Sequence, residues 1–362
     1  VLEGGLTNVH TQARQALTRA DWIRVAILFG AITLLHVVAW GVLTLLVVPE
    51  HYTIGTKVFG LGLGVTAYTL GMRHAFDADH IAAIDNTTRK FMAEGRRPVS
   101  TGFWFALGHS GMVVLMAALV TVGAHLATVL SDQHSATHQT MGLIGTGVSG
   151  GFLYLIAFVN LIAMVGIAKV WRAMRRGEFD ETVLAAKLDQ RGLINRILRG
   201  LLRSISHPWH MFPIGMLFGL GFDTATEVTV LALAGSGAAG GLPWYAIIVL
   251  PLLFAAGMSL FDTLDGTFMN FAYHWAFANP VRKIYYNLTI TGLSVAVAFV
   301  IGTIEIVALL HDDAGIENPV TDWIAGLDLN NVGFIIVGLF VAVWAVAIAY
   351  WRFAQVEHRW TP

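Results

Sequence analysis

Cysteine is absent from the 362 residues, charged side chains make up only 12% of them, and no glycine-rich run ends in Lys followed by Ser or Thr. Without thiols there are no disulfides and no thiolate ligands, which argues against a Cu⁺ site; any metal is held by nitrogen and oxygen. The charged fraction is about half the roughly 25% of an average soluble domain. With 56% hydrophobic residues and a mean hydropathy of +0.67, the composition is that of a polytopic membrane protein. No phosphate-cradling loop is present and no connection is long enough for a nucleotide-binding domain, so any transport by this chain alone would not be driven directly by ATP, and no ATPase subunit is expected. A net charge of −1 gives no reason to expect nucleic acid as a partner. The first twenty residues are polar, with Arg14 and Arg19 and no apolar core, and do not read as a secretory signal peptide.

What is abundant is apolar sequence. About twenty apolar residues cross a ~30 Å hydrocarbon core as a helix, and eight segments meet that measure, near 24–48, 56–86, 101–130, 141–170, 208–236, 243–275, 286–310 and 332–353. The expected fold is all-α, a single transmembrane domain of eight helices. Several segments exceed twenty residues, so tilts or breaks are expected. If both termini are cytoplasmic, 20 of the 22 Lys and Arg fall on the inner side. The other two are Lys57, at an outer edge, and Arg73, within the second segment. The outer connections carry Asp132, Asp312, Asp313, Glu317, Asp322 and Asp328. The longest inner connection, 171–207, spaces Leu184, Leu188, Ile194, Ile197, Leu198 and Leu201 at mostly helical intervals with basic residues between them. It reads as an amphipathic helix on the cytoplasmic leaflet, in contact with lipid.

Residues 73–81, RHAFDADHI, place two histidines, two aspartates and an arginine inside the second segment. Each ionisable group at the centre of a bilayer costs roughly 2.5 to 3.5 kcal/mol on insertion scales, so such a cluster points to function. His and Asp together suit a borderline divalent ion such as Ni²⁺, Co²⁺ or Zn²⁺. On an ideal helix His74, Asp77 and His80 share one face, with Asp79 at its edge. Counted from Arg89, Asp77 and His80 lie roughly 14 to 18 Å from the inner boundary. Asp223 and Glu227 are spaced i, i+4 in the fifth segment, and Asp262 and Asp265 i, i+3 in the sixth. His109 in the third segment and His36 in the first are further candidates, for each of which an interhelical hydrogen bond is an equal alternative to a metal bond. Six intramembrane acids thus face one fixed cation, Arg73, an excess of negative charge that protons or an incoming cation can balance. Thr224, Thr226 and Thr263 stand beside these acids, and Gly71, Gly219 and Gly221 permit close helix approach or local unwinding. GMRHAFDADH (71–80) and GMSLFDTLDG (257–266) also match each other after a one-residue gap. The match is short, so duplication and chance both stand open.

In type and order these motifs resemble those of the nickel/cobalt transporter family: RHAFDADHIAAIDN its signature, and LGHS around His109, LGFDTATE around Asp223 and GMSLFDTLDG around Asp262 its further motifs. The resemblance implies an eight-helix permease with cytoplasmic termini. It also implies secondary uptake of Ni²⁺ or Co²⁺ across the cytoplasmic (inner) membrane, with the metal as substrate and no prosthetic group. Matched by position, His74, Asp79 and His80 are the essential signature residues, with Asp77 inside the same motif. The long His-rich loop of related efflux proteins is absent, His134 and His138 being the nearest thing, which favours uptake. Two other readings stay open: efflux on the same scaffold, and an intramembrane metal-dependent enzyme, which would leave the acids of the fifth and sixth segments unused.

Overall fold

The computed structural model describes residues 18–54, 57–122, 136–175, 205–220, 225–277, 280–312, 315–316 and 318–327, with a few positions between 335 and 346. Most of the segment 332–353, most of the connection 171–207, and Asp223, His134 and His138 lie outside the described structure or its described side chains.

The first helix, α1 (Arg19–Val42), starts at a capping box in which Thr18 and Asp21 satisfy each other's backbone amides. Asp21 also binds Arg97 at 2.9 Å, so the start of α1 is tied to the connection that follows α3. The last turns of α1 widen into a π turn (Leu43–Val47) and tighten into a 3₁₀ turn (Val48–Glu50). An antiparallel ribbon of β1 (Thr53–Ile54) and β2 (Lys57–Val58) then reverses the chain. There follow α2 (Leu61–His74), α3 (Ala78–Ala93), α4 (Thr101–Val122), α5 (Ala136–Arg175), α6 (Met211–Phe218), α7 (Ala225–Ala239), α8 (Trp244–Phe277), α9 (Pro280–Asp312) and the short α10 (Pro319–Ala325).

Five described helical stretches are long and apolar enough to cross a membrane: Arg19–Glu50, Thr101–Leu119, Leu143–Gly166, Trp244–Phe271 and Thr291–His311. The second apolar segment, 56–86, is not the one ideal helix on which the shared face of His74, Asp77 and His80 was argued. It divides into α2 and α3 at Ala75–Phe76–Asp77. The segment 208–236 likewise holds two helices, α6 and α7.

α8 is the hub, packing against α1, α2, α3, α4, α7 and α9. Where it crosses α2, backbone lies against backbone at two glycines. A Cβ on Gly71 would collide with the Phe254 carbonyl oxygen, and one on Gly257 would meet the Tyr68 carbonyl oxygen. These are the two glycines that the internal sequence match aligns. α8 crosses α4 the same way at Gly102 and Gly266, and α4 meets α6 at Gly108 and Gly215. In lipid, where apolar burial does not drive helices together, such close approach supplies the dispersion contact that does.

Nearer the basic end of α3 the bundle encloses charge. Arg89, 2% exposed, lies 3.4 Å from Asp85 and donates to Thr291 (3.0 Å) and Ser294 (2.8 Å), while Ser294 donates to Asp85. Lys90 donates to the Ile205 carbonyl. These two cations, counted above with the inner connection, are therefore inside the protein.

The glycine crossings generate a stability prediction. Gly71→Ala or Gly257→Ala forces a methyl against backbone and is expected to cost about 1–3 kcal/mol, read as a lowered Tm of the purified protein in detergent. Gly30→Ala, where no atom stands within 4 Å of the added methyl, is the control that leaves Tm unchanged.

Candidate metal centre

The centre is built at the break between α2 and α3. The end of α2 tightens as Phe76 N–H donates to the Arg73 carbonyl (3.0 Å) and Asp77 N–H to that of His74 (2.8 Å). Asp77 then turns extended, at φ −65° and ψ 145°, and becomes the N-cap of α3. Asp is a preferred N-cap type, yet its side chain makes no cap bond; Oδ2 lies 2.7 Å from Nδ1 of His74. Two short helices thereby bring His74, the last residue of α2, and His80, in the first turns of α3, ring to ring, with centroids 4.6 Å apart.

His109 joins them from α4, one residue beyond the Gly108 crossing. Its ring centroid is 4.9 Å from that of His74 and 4.6 Å from that of His80, and the Nε2 atoms of His74 and His109 are 3.0 Å apart. All three histidines are buried, and one ligand atom from each lies within 4.8 Å of the others. Donors that are not trans on a first-row divalent ion with bonds of about 2.1 Å stand roughly 3.0–3.6 Å apart, so the rings close by about an ångström or more to share one ion.

Each ring has a carboxylate beside it. Asp77 faces Nδ1 of His74, which Thr226 Oγ1 also approaches at 3.1 Å. Asp262, fully buried on α8, lies 3.3 Å from Nδ1 of His80. Glu227, in the first turn of α7, accepts from His109 Nε2 at 2.6 Å and stands 3.6 Å from His74 Nε2. An ionised carboxylate only accepts, so Asp262 holds the proton of His80 on Nδ1 and leaves Nε2 with a lone pair for a metal; at His74, Thr226 makes the hydrogen bond to Nδ1, and Asp77 Oδ2 stands close without one. In keeping with this, His80 Nε2 has no hydrogen-bond partner. Phe254, 5.4 Å from His74, and Phe105, 4.8 Å from His80, wall the centre with apolar rings.

The other sequence candidates lie elsewhere. Both ring nitrogens of His36 are engaged away from the cluster: Nδ1 donates to the Ile32 carbonyl (2.8 Å), and Nε2 accepts from the Tyr68 hydroxyl (3.1 Å). Asp79 is half-buried and accepts the backbone N–H of His80 at 2.9 Å. Asp265, also half-buried, has an Oδ2 without a partner. Arg73 is exposed and makes no ion pair with the acids among the described residues. Sequence inspection did not single out Asp85 or the phenylalanine walls. Asp85 and Arg89 stand four residues apart, the spacing of a helical ion pair; nothing local marks Phe105 or Phe254.

The family model for the high-affinity nickel-transport protein, NicO, matches residues 60–350. The chain is 55% identical to the nickel transporter NicT of Mycobacterium tuberculosis over 96% of its own length and 94% of that protein's. It is 42% identical to the nickel transporter NixA of Staphylococcus aureus, over 91% and 95% of the two lengths. It is 40% identical to the cobalt transport protein NhlF of Rhodococcus rhodochrous, over 92% and 94%. No solved structure matches. A matching model across most of the chain, with full-length relatives on either side of the nickel and cobalt names, establishes that the chain belongs to the high-affinity nickel-transport protein family.

Proposed function

We propose that the chain is a secondary transporter that takes Ni²⁺ or Co²⁺ inward across the cytoplasmic membrane, with His74, His80 and His109 as the nitrogen donors of the intramembrane site. The observation that carries this is the convergence of three buried histidines from α2, α3 and α4, each beside its own carboxylate. The names of its relatives, nickel transporters and a cobalt transport protein, support the choice of ion. The proposed topology, eight spans with both termini cytoplasmic, rests on the Lys and Arg it places on the inner side, about 18 once the buried Arg89 and Lys90 are set apart.

In this reading a hydrated ion reaches the centre from outside and exchanges water for imidazole nitrogen. Glu227, which already bridges toward His74 and His109, supplies an oxygen donor and negative charge. Asp77 and Asp262 orient His74 and His80, and Asp79, Asp223 and Asp265 balance charge along the path. An inside-negative potential contributes roughly 4.6 kcal/mol per 100 mV to a divalent ion, at about 2.3 per unit charge. That corresponds to about three decades of concentration, enough to drive accumulation without ATP.

Three outcomes are expected. Cells expressing the chain accumulate radiolabelled Ni²⁺ or Co²⁺, and His74→Ala abolishes this at equal membrane abundance; parent cells holding less metal than empty controls would reverse the direction. Asp77→Asn, which keeps the ring but loses the charge that orients it, weakens Ni²⁺ binding by the purified protein about 10- to 100-fold, measured by titration calorimetry. In liposomes with potential and pH gradient set separately, uptake follows the imposed potential; indifference to both gradients would remove the secondary-transport reading.

A further inference from the structure

Below the histidine centre, toward the basic end of the bundle, α3 and α8 run side by side in a register set by two contacts. His80 faces Asp262, and Ile84 touches the position of Gly266. Four residues advance on each helix between these contacts, so the next turn sets Thr87 and Thr88 level with Asn270. On α8 itself Thr263, Thr267 and Asn270 follow at i, i+4 and i+7, one stripe of a helix.

These five side chains are buried: Thr87 and Thr88 at 0% exposure, Thr263 and Asn270 at 1%, Thr267 at 7%. None of the four hydroxyls has a hydrogen-bond partner, nor does either side-chain atom of Asn270. Several other hydroxyls and amides among the described residues are partnered, although the buried Ser149 hydroxyl is not. Thr33, Thr44, Thr66, Thr69 and Thr303 all return their hydroxyls to the carbonyl four residues back. The buried amides Asn86 and Asn160 bond to each other and to backbone. An unpartnered buried polar group costs about 1–3 kcal/mol, and a group of such side chains concentrated on two facing helices calls for a ligand or water.

We propose that Thr87, Thr88, Thr263, Thr267 and Asn270 form a second station, where a hydrated divalent cation rests between the histidine centre and the cytoplasm. The inference rests on the transport reading above. Hydroxyl and amide oxygens are neutral, hard donors that hydrogen-bond the water around Ni²⁺ or Co²⁺ and compete poorly with imidazole for its inner sphere. The histidine centre selects the ion; the oxygen stripe lets it go. The Ile84 side chain, 3.4 Å from a Cβ placed on Gly266, separates the two levels in this structure.

The absence of native cysteine makes the test direct. Thr88→Cys and Asn270→Cys, each the sole thiol in the full chain, are exposed in everted membrane vesicles to a membrane-impermeant thiol reagent. Ala298→Cys, at a fully buried apolar position, is the reference. Both stripe positions are expected to react at least about tenfold faster than the reference, and Asn270→Leu to lower uptake into proteoliposomes about tenfold while Ni²⁺ affinity of the purified protein stays unchanged. Labelling no faster than at Ala298→Cys means dry packing and overturns the proposal. So does parental uptake by Asn270→Leu, or loss of its Ni²⁺ binding, which would make Asn270 a support of the fold. A parent that moves no metal defeats the transport reading, whereas the labelling contrast still decides whether the stripe is wet.

Discussion

Backbone meets backbone where α2 crosses α8, where α4 crosses α8 and where α4 meets α6, and the cluster of three histidines depends on that proximity. A histidine ring reaches only a few ångströms from its Cα, so rings from three helices meet only if the helices carrying them nearly touch. Gly71 lies one turn before His74 and Gly108 immediately before His109. Gly257 and Gly266 flank Asp262 on α8. The glycines are spacers of zero width, and they stand where the ligands must converge.

A second constraint is the cost of polar groups inside a membrane. The interrupted backbone between α2 and α3 is tolerable because Ala75 and Asp77 are buried in protein, so the amides freed by the break do not face lipid. Arg89 is handled differently: Asp85, Ser294 and Thr291 surround it, and removing one member of such a buried pair costs about 3–5 kcal/mol. One buried polar cluster thus closes on itself and gives rigidity. The other leaves His80 Nε2 without a hydrogen-bond partner.

The membrane class, the apolar segments and the ionisable cluster were all legible in the sequence, because each is a local property of composition or spacing. That His74, Asp77 and His80 belong together was legible too, although for a reason the structure revises. They meet across an extended Asp77 and not along one helical face, and neither Gly nor Pro between residues 74 and 80 announces the interruption. Glu227 and Asp262 were visible as intramembrane acids of matching depth, but their pairing with His109 and His80 spans more than a hundred residues and is set by how helices cross. His36 shows the limit of arguing from depth alone. It sits at a suitable level, yet Tyr68 and the Ile32 carbonyl occupy both its nitrogens.

Gly71 and Gly257 each press on a carbonyl lying three residues before the other glycine, Phe254 in one case and Tyr68 in the other. Such mutual contact has a local two-fold axis, and around it Leu253 of α8 seats against Gly64 and the Met72 side chain of α2 against Gly257. Asp262 is five residues along α8 from that point, roughly 7.5 Å at 1.5 Å per residue, so a swing of about 10° carries it roughly 1.3 Å. Any shift at the glycine crossing is therefore passed to the carboxylate that faces His80 Nδ1.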